Sequence, residues 1–223
     1  MKKLLCILLF LFSLAAAYHF IFSPHFSLDM MIVDCKEETD CWEGIPLTDK
    51  EKQTLLQLLN QPFTYLDKGH QSYAFKSADG KYVLKFFHFE RMRSSPLWQY
   101  LETIPFMERY TDKNRDACDK RFRRATTGYA VAYKYDKDNC GLLFMRLGCI
   151  PHIPQTVLLI DQWGGSHPID LDKTYFVIQH LATPANQAFS NFLSNNQLVE
   201  VKKLVNKIFA LYLEEYKRGV YDF

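Results

Sequence analysis

The chain carries none of the short patterns that mark common catalytic and metal centres. Gly-x-Ser-x-Gly and His-Glu-x-x-His are both missing, so neither a nucleophile-elbow hydrolase nor a zinc peptidase is indicated. No Cys-x-x-Cys or His-x-x-x-His pair is present to hold zinc, and no metal site is expected. Charge of one sign is not in excess either, since 27 lysines and arginines face 25 aspartates and glutamates for a net charge of +2. That balance is not the footprint of a nucleic-acid-binding domain, and no nucleic-acid partner is expected. Repeats and low-complexity tracts are absent, which excludes solenoids and long disordered arrays.

What is present begins at the amino terminus. Met1-Lys2-Lys3 precedes a nearly unbroken apolar run from Leu4 to Phe22, close to the roughly 20 residues that cross a bilayer. Residues 1–22 are expected to be a signal peptide or a transmembrane anchor, touching the membrane through residues 4–22. Ala15-Ala16-Ala17 offers small residues for cleavage before Tyr18, whereas His19 to Phe22 continue the apolar character as an uncleaved anchor would. Lys2 and Lys3 stand before the run, and Asp29, Asp34, Glu37, Glu38 and Asp40 follow it, so the lysine end should stay cytoplasmic. The expected localisation is a single-pass membrane protein with its main domain outside the cytoplasm, or an exported protein if the cut after Ala17 is made. Cys6 lies in the apolar run. In an oxidising compartment Cys35 with Cys41, and Cys140 with Cys149, are spaced to close small loops and leave Cys118 over, although spacing alone does not set connectivity.

Beyond residue 22 about 200 residues remain, enough for one sizeable core or two small lobes. Aromatic residues make up 15% of the chain, a content read as a tightly packed core in preference to a partner surface. The stretch Leu66 to Phe87 is the most specific part. Asp79-Gly80 is a hairpin signal, and Lys81 to Phe89 is rich in β-branched and aromatic residues, so Phe63 to Phe75 and Lys81 to Phe89 are predicted to pair antiparallel. Lys85 then falls on a largely buried strand. It either snorkels to water or meets an anion, because an unpaired buried ammonium is costly.

The loop ahead of that strand, Asp67-Lys68-Gly69-His70-Gln71-Ser72, turns around one glycine. Here the sequence resembles the amino-terminal lobe of the protein-kinase-like fold. Leu66 matches the leucine before the family's glycine-rich loop, Gly69 its middle glycine, Ala74 the small residue after it, and Val83-Leu84-Lys85 the strand bearing the family's lysine. Asp67 and Ser72 stand where two further glycines would be. The resemblance implies ligand binding by Gly69, Ser72 and Lys85, with ATP as the family's ligand, and an ion pair from Lys85 to Glu102 or Glu108, with Asp119 a shorter third choice. It also implies that Thr174 to Ala182 is a strand running to a hinge at Pro184, and that Leu198 to Tyr216 opens a second, helical lobe. Asp222 falls at the position of the catalytic base. No asparagine and no Asp-Phe-Gly follow it, and Asp67 opposes phosphate charge, so no catalytic residue, metal or cofactor is expected in this form.

The segment Glu90 to Leu171 is larger than the helix and two strands that the family places there. Leu97 to Tyr110 and Asp112 to Tyr133 are predicted helical, with Pro105 bending or dividing the first. Gly141 to Leu147 and Thr156 to Ile160 are predicted strands, and Asp161 to Ser166 a turn leading back to Tyr175. The basic run Lys113 to Arg124 is interleaved with Asp112, Asp116 and Asp119, a spacing that suits a solvated helix face laced with ion pairs. His152 and His167 are expected in solvated loops.

The expected fold is α+β: a membrane or signal helix (1–22), a linker with a short helix (23–62), a kinase-like small lobe with a helical insertion (63–182) and part of a helical second lobe (183–223). Two functions follow. One is a membrane-anchored or exported kinase-like protein, catalytically inactive in this form, that binds a ligand or scaffolds a protein partner. The other is an exported α+β envelope protein with a binding or structural role and no nucleotide. Lys85 separates them, by pointing under the loop towards a helix carboxylate or out to solvent.

Overall fold

The computed structural model describes residues 13, 28–33, 47–88, 92, 96–148 and 151–218. The apolar segment 1–22, apart from Ser13, and Cys35, Cys41, Cys149 and Asp222 lie outside the described residues, as do the expectations placed on them. Among the described residues no helix is long and apolar enough to cross a membrane.

The fold is α+β, with seven strands in one sheet. In chain order these are β1 (Phe63–Lys68), β2 (Ser72–Ser77), β3 (Tyr82–Phe87), β4 (Leu142–Arg146), β5 (Thr156–Ile160), β6 (Ser166–Asp170) and β7 (Phe176–His180). Their spatial order is β4-β7-β3-β2-β1-β5-β6, antiparallel throughout except for the short β1–β5 contact. Of the predicted pairing of Phe63 to Phe75 with Lys81 to Phe89, the part from Ser72 stands, with Ala74 opposite Lys85 and Phe75 opposite Leu84, whereas Phe63–Lys68 forms a separate strand that pairs with β2. The predicted strand after Thr174 lies in the same sheet, where Val177 pairs with Lys85.

Period-two alternation sorts the side chains into two cores. On one face Phe63, Tyr73, Phe75, Leu84, Phe86, Phe144, Phe176 and Ile178 form the larger core. Ring contacts run across it strand by strand: Tyr65 to Phe75 at 5.7 Å, Phe75 to Phe86 at 5.8 Å, Phe86 to Phe176 at 6.2 Å and Phe176 to Phe144 at 5.8 Å between centroids. These edge-on and tilted contacts account for much of the high aromatic content as core. Phe144 of β4 and Ile169 of β6 come from opposite edges of the sheet yet share this core, so the sheet curls around it. Helix α1 (Asp49–Leu59) closes the core with Leu55 and Leu59 and is started by a capping box, in which Thr48 and Glu51 bond each other's backbone N–H.

The second core lies on the opposite face, under a long helix. Three helical elements follow β3: α2 (Pro96–Leu101), a 3-10 turn at Pro105–Met107, and α3 (Glu108–Tyr135). The break therefore falls at Pro105 as predicted, but Tyr110 to Asp112 is continuous helix. From α3, Phe122, Ala125, Tyr129, Ala130 and Tyr133 recur at helical spacing and meet Phe87, Met145, Tyr175 and Val177 of the sheet. Phe122 packs on Tyr175 at 5.9 Å and Tyr129 on Phe87 at 5.2 Å. An irregularity in register between Leu142 and Phe144 lets β4 serve both cores, Leu142 facing α3 and Phe144 the other way.

The turn Asp161–Ser166 does not lead back to Tyr175. It closes a hairpin of β5 with β6, a strand absent from the sequence reading, which adds the pair to the outer edge beside β1. A short α4 (Lys137–Cys140) precedes β4, and after β7 the chain forms α5 (Ala185–Ser194) and α6 (Leu198–Lys217). No residue of α5 or α6 is buried, and Leu198, Val205, Phe209 and Tyr212 are exposed on α6. Arg218, just past α6, donates to the Tyr135 carbonyl at 3.0 Å and to Asp136 at 3.3 Å.

Candidate functional site

The loop between β1 and β2 is held by its own backbone and by β3. The Gly69 N–H donates to the Ser72 carbonyl at 2.8 Å, the His88 N–H to the Gln71 carbonyl at 3.1 Å, and His88 Nε2 to the Gly69 carbonyl at 3.1 Å. Ser72 is buried at the start of β2, and its hydroxyl hydrogen-bonds that of Tyr129 on α3. Burial pushes the Tyr129 phenol above its ordinary pKa. Gly69 and Ser72 are thus brought together, but the Gly69 N–H and the Ser72 hydroxyl are already engaged within the protein. Asp67 is exposed, and its carboxylate accepts from the Lys68 N–H at 2.7 Å.

Lys85 sits in mid-strand between β2 and β7. Alternation puts its side chain on the same face as Val83 and Phe87, the face covered by α3, while Leu84 and Phe86 enter the aromatic core. The side chain is half-buried, and burial holds its ammonium below the ordinary lysine pKa. It has no ion pair or hydrogen bond among the described residues. Glu102, Glu108 and Asp119 are all exposed, and none of them pairs with Lys85. The lysine therefore lies on the helix-facing side of the sheet, with neither Glu102 nor Glu108 beside it.

The remaining sequence candidates are placed as follows. Cys140 is a free thiol 3.5 Å from Asp136 Oδ2, and burial raises its pKa to about 11; Cys118 is a free, buried thiol. The raised pKa makes the Cys140 thiol a poor nucleophile. His167 is not merely solvated: its Nε2 lies 2.7 Å from Asp161 Oδ2, and that hydrogen bond holds the Asp161 carboxyl below its usual range. Asp161 Oδ1 also accepts from the Trp163 and Gly165 amides at 2.8 Å each, which makes this a turn brace. Among the described residues no group of three or more His, Cys, Asp or Glu side chains is placed to hold a metal ion.

Sequence reasoning missed one concave site near the loop. His70 and Gln71 of the loop, Met92 beyond β3, and Arg121 and Arg124 of α3 line a cavity of about 570 Å³. The signal lay in the basic run Lys113 to Arg124, but nothing in the sequence indicated that the run lies beside the β1–β2 loop. A second cavity, of about 470 Å³, is mostly apolar and lies between α1, β3, β4 and the end of α3, with Tyr82, Tyr133, Phe144 and His180 among its walls.

No family model, no curated protein and no solved structure matches this chain.

Proposed function

We propose that the chain is a kinase-like small lobe that binds and does not transfer phosphate, held at or beyond a membrane by its apolar amino terminus. The observation that carries the reading is Lys85. It lies at the centre of an antiparallel sheet, on the side facing the long helix, half-buried and with no carboxylate of the described residues beside it. The reading is supported by a glycine turn at Gly69, a helix packed on one face of the sheet, the strand Phe176–His180 next to the lysine strand, and the helices after it.

The same region argues against catalysis. Phosphoryl transfer needs backbone N–H groups free to take the phosphates, metal ligands and a positioned base. Here the Gly69 N–H is taken by Ser72, the Ser72 hydroxyl by Tyr129, and Asp67 adds negative charge beside the loop. The missing partner of Lys85 also keeps the alternative in view, an exported α+β binding or structural protein in which Lys85 is an ordinary half-buried lysine.

A thermal-shift titration with ATP, with and without magnesium, tests the reading on the wild type and Lys85→Ala. The expected result is no magnesium-dependent stabilisation and no ATP turnover in either protein. A magnesium-dependent shift that vanishes in Lys85→Ala would overturn the non-catalytic assignment.

A further inference from the structure

The larger core is left open where α1 meets the end of α3. Leu47, Leu58, Tyr82 and Leu143 pack against that core yet stay half-buried, and all four line the cavity of about 470 Å³. Tyr133, Phe144 and His180 bring further rings to its walls. Tyr82 and His180 are cross-strand partners on β3 and β7, with ring centroids 5.7 Å apart and planes 32° from parallel, so they make one aromatic wall. The charges at the cavity are few and unequal. Glu51 is the one carboxylate among the lining residues, against Lys50 and Lys137, which leaves one positive charge over. Glu51 is also committed elsewhere, since its Oε2 accepts from the Thr48 N–H at 2.9 Å and from the Thr48 hydroxyl at 2.7 Å. Lys50 makes no ion pair among the described residues. Lys137 Nζ lies 4.5 Å from the centre of the Tyr133 ring and donates to the Tyr133 hydroxyl at 2.9 Å, a neutral partner that leaves the ammonium further donors.

We propose that this cavity binds a small aromatic molecule bearing one carboxylate. Its volume lies within the roughly 300–1,000 Å³ of small-molecule sites, and a mostly apolar wall with a few convergent polar groups is their usual make-up. A planar ring suits walls built of rings, which it meets in offset or edge-on contacts, while Leu47, Leu58 and Leu143 cover the rest of its apolar body. The carboxylate goes to the side where α1 and α4 bring Lys50 and Lys137. There it takes charge-assisted hydrogen bonds and neutralises the spare charge. An ammonium would meet two cations at the same place and a carboxylate already bonded to Thr48. A doubly charged phosphate would exceed the one positive charge on offer.

Lys85 is not among the lining residues, and the site does not depend on the kinase-like reading. Isothermal titration of sodium naphthoate into the full-length chain in nanodiscs of zwitterionic lipid, with empty nanodiscs as the blank, tests it. The expected result is saturable one-site binding that the combined Lys50→Met and Lys137→Met changes weaken about tenfold or more. Naphthylmethanol, which keeps the ring and lacks the charge, should bind the wild type about tenfold more weakly. Leu143→Trp should abolish binding by filling the cavity, and Lys85→Ala should leave it unchanged. Lys50 is exposed and Lys137 half-buried, so the lysine variant should keep the wild-type circular dichroism, and the comparison with the alcohol needs the wild type alone. Absence of saturable heat above the blank at millimolar naphthoate, or equal affinity for naphthylmethanol or for naphthylmethylamine, would overturn the proposal. Equal affinity in the folded lysine variant or the folded Leu143→Trp variant would overturn it too, as would loss of binding in Lys85→Ala.

Discussion

Arg146 and Asp172 tie β4 to the turn that precedes β7. The Arg146 side chain is 1% exposed; its Nη2 donates to the Asp172 carbonyl at 3.0 Å and lies 3.7 Å from the Asp172 carboxylate. Its Nη1 donates to the carbonyls of Thr174 at 2.7 Å and Leu171 at 3.2 Å, and its Nε to Pro151 at 3.1 Å. Asp172 in turn accepts from the Ile153 N–H at 2.6 Å. The planar guanidinium thus satisfies several carbonyls of irregular backbone that no strand could pair.

Arg146→Met is expected to cost about 2–4 kcal/mol, because it removes the guanidinium donors to the Pro151, Asp172 and Thr174 carbonyls, while Asp172 keeps the Ile153 N–H and the Leu171 carbonyl keeps Thr174. Arg146→Lys should recover little, since an ammonium cannot reach the same set of acceptors at once. Urea denaturation followed by circular dichroism measures both. A loss below about 1 kcal/mol for Arg146→Met would mean that the network does not hold the turn.

Much of the sheet was legible because its signals are local. Asp79-Gly80 marks the β2–β3 hairpin, and Lys81 to Phe89 carries its strand composition in consecutive residues. The hairpin of β5 with β6 was not, since Pro168 stands within β6 and the turn Asp161 to Ser166 reads as leading straight back to Tyr175. A proline interrupts a strand pattern, yet it is tolerated in an edge strand, and β6 is at the sheet edge. Arg146 reads as one polar residue at the end of an apolar run; its buried role depends on carbonyls some 25 to 28 residues away in the chain. The same limit applies to the candidate site. The position of Lys85 on its strand follows from alternation, whereas the meeting of His70 with Arg121 and Arg124 depends on how α3 crosses the sheet, which no short pattern encodes.

Gly80 should be intolerant of a side chain. Its φ is +71°, in the left-handed region, and its N–H donates to the Ser77 carbonyl at 3.0 Å. Around it the Ser77 hydroxyl bonds the Asp79 carboxylate at 2.7 Å and accepts from the Tyr82 N–H at 2.9 Å, which fixes the turn. The hydrogen bond from Ser77 holds the Asp79 carboxyl below its usual range. Gly80→Ala is expected to lower stability by about 1 kcal/mol through backbone strain, the nearest side-chain atom being Lys76 Cε at 3.6 Å and free to move. A thermal melt that leaves the midpoint unchanged would show that the turn relaxes.

Lys85 supplies a prediction with an unusual sign. Burial disfavours its charged form, and no anion among the described residues offsets that cost. The folded-state pKa is therefore below the unfolded value of 10.5, so the unfolded chain holds more protons across the interval between the two. Stability contributed by this group accordingly rises with pH through that interval, and the full cost is present at neutral pH. Lys85→Met keeps the aliphatic stem that packs under α3 and removes the charge. It is expected to stabilise the protein at pH 7 by about 0.5 kcal/mol, a small gain because the ammonium retains part of its hydration. That corresponds to a rise of roughly 1–2 °C in the thermal midpoint for a chain of this size. The advantage over the wild type should shrink as the pH is raised towards 10.5. If Lys85→Met instead destabilises the protein at pH 7, and the deficit closes at high pH, the lysine is paired with an anion in the folded state and the absence of a partner is disproved.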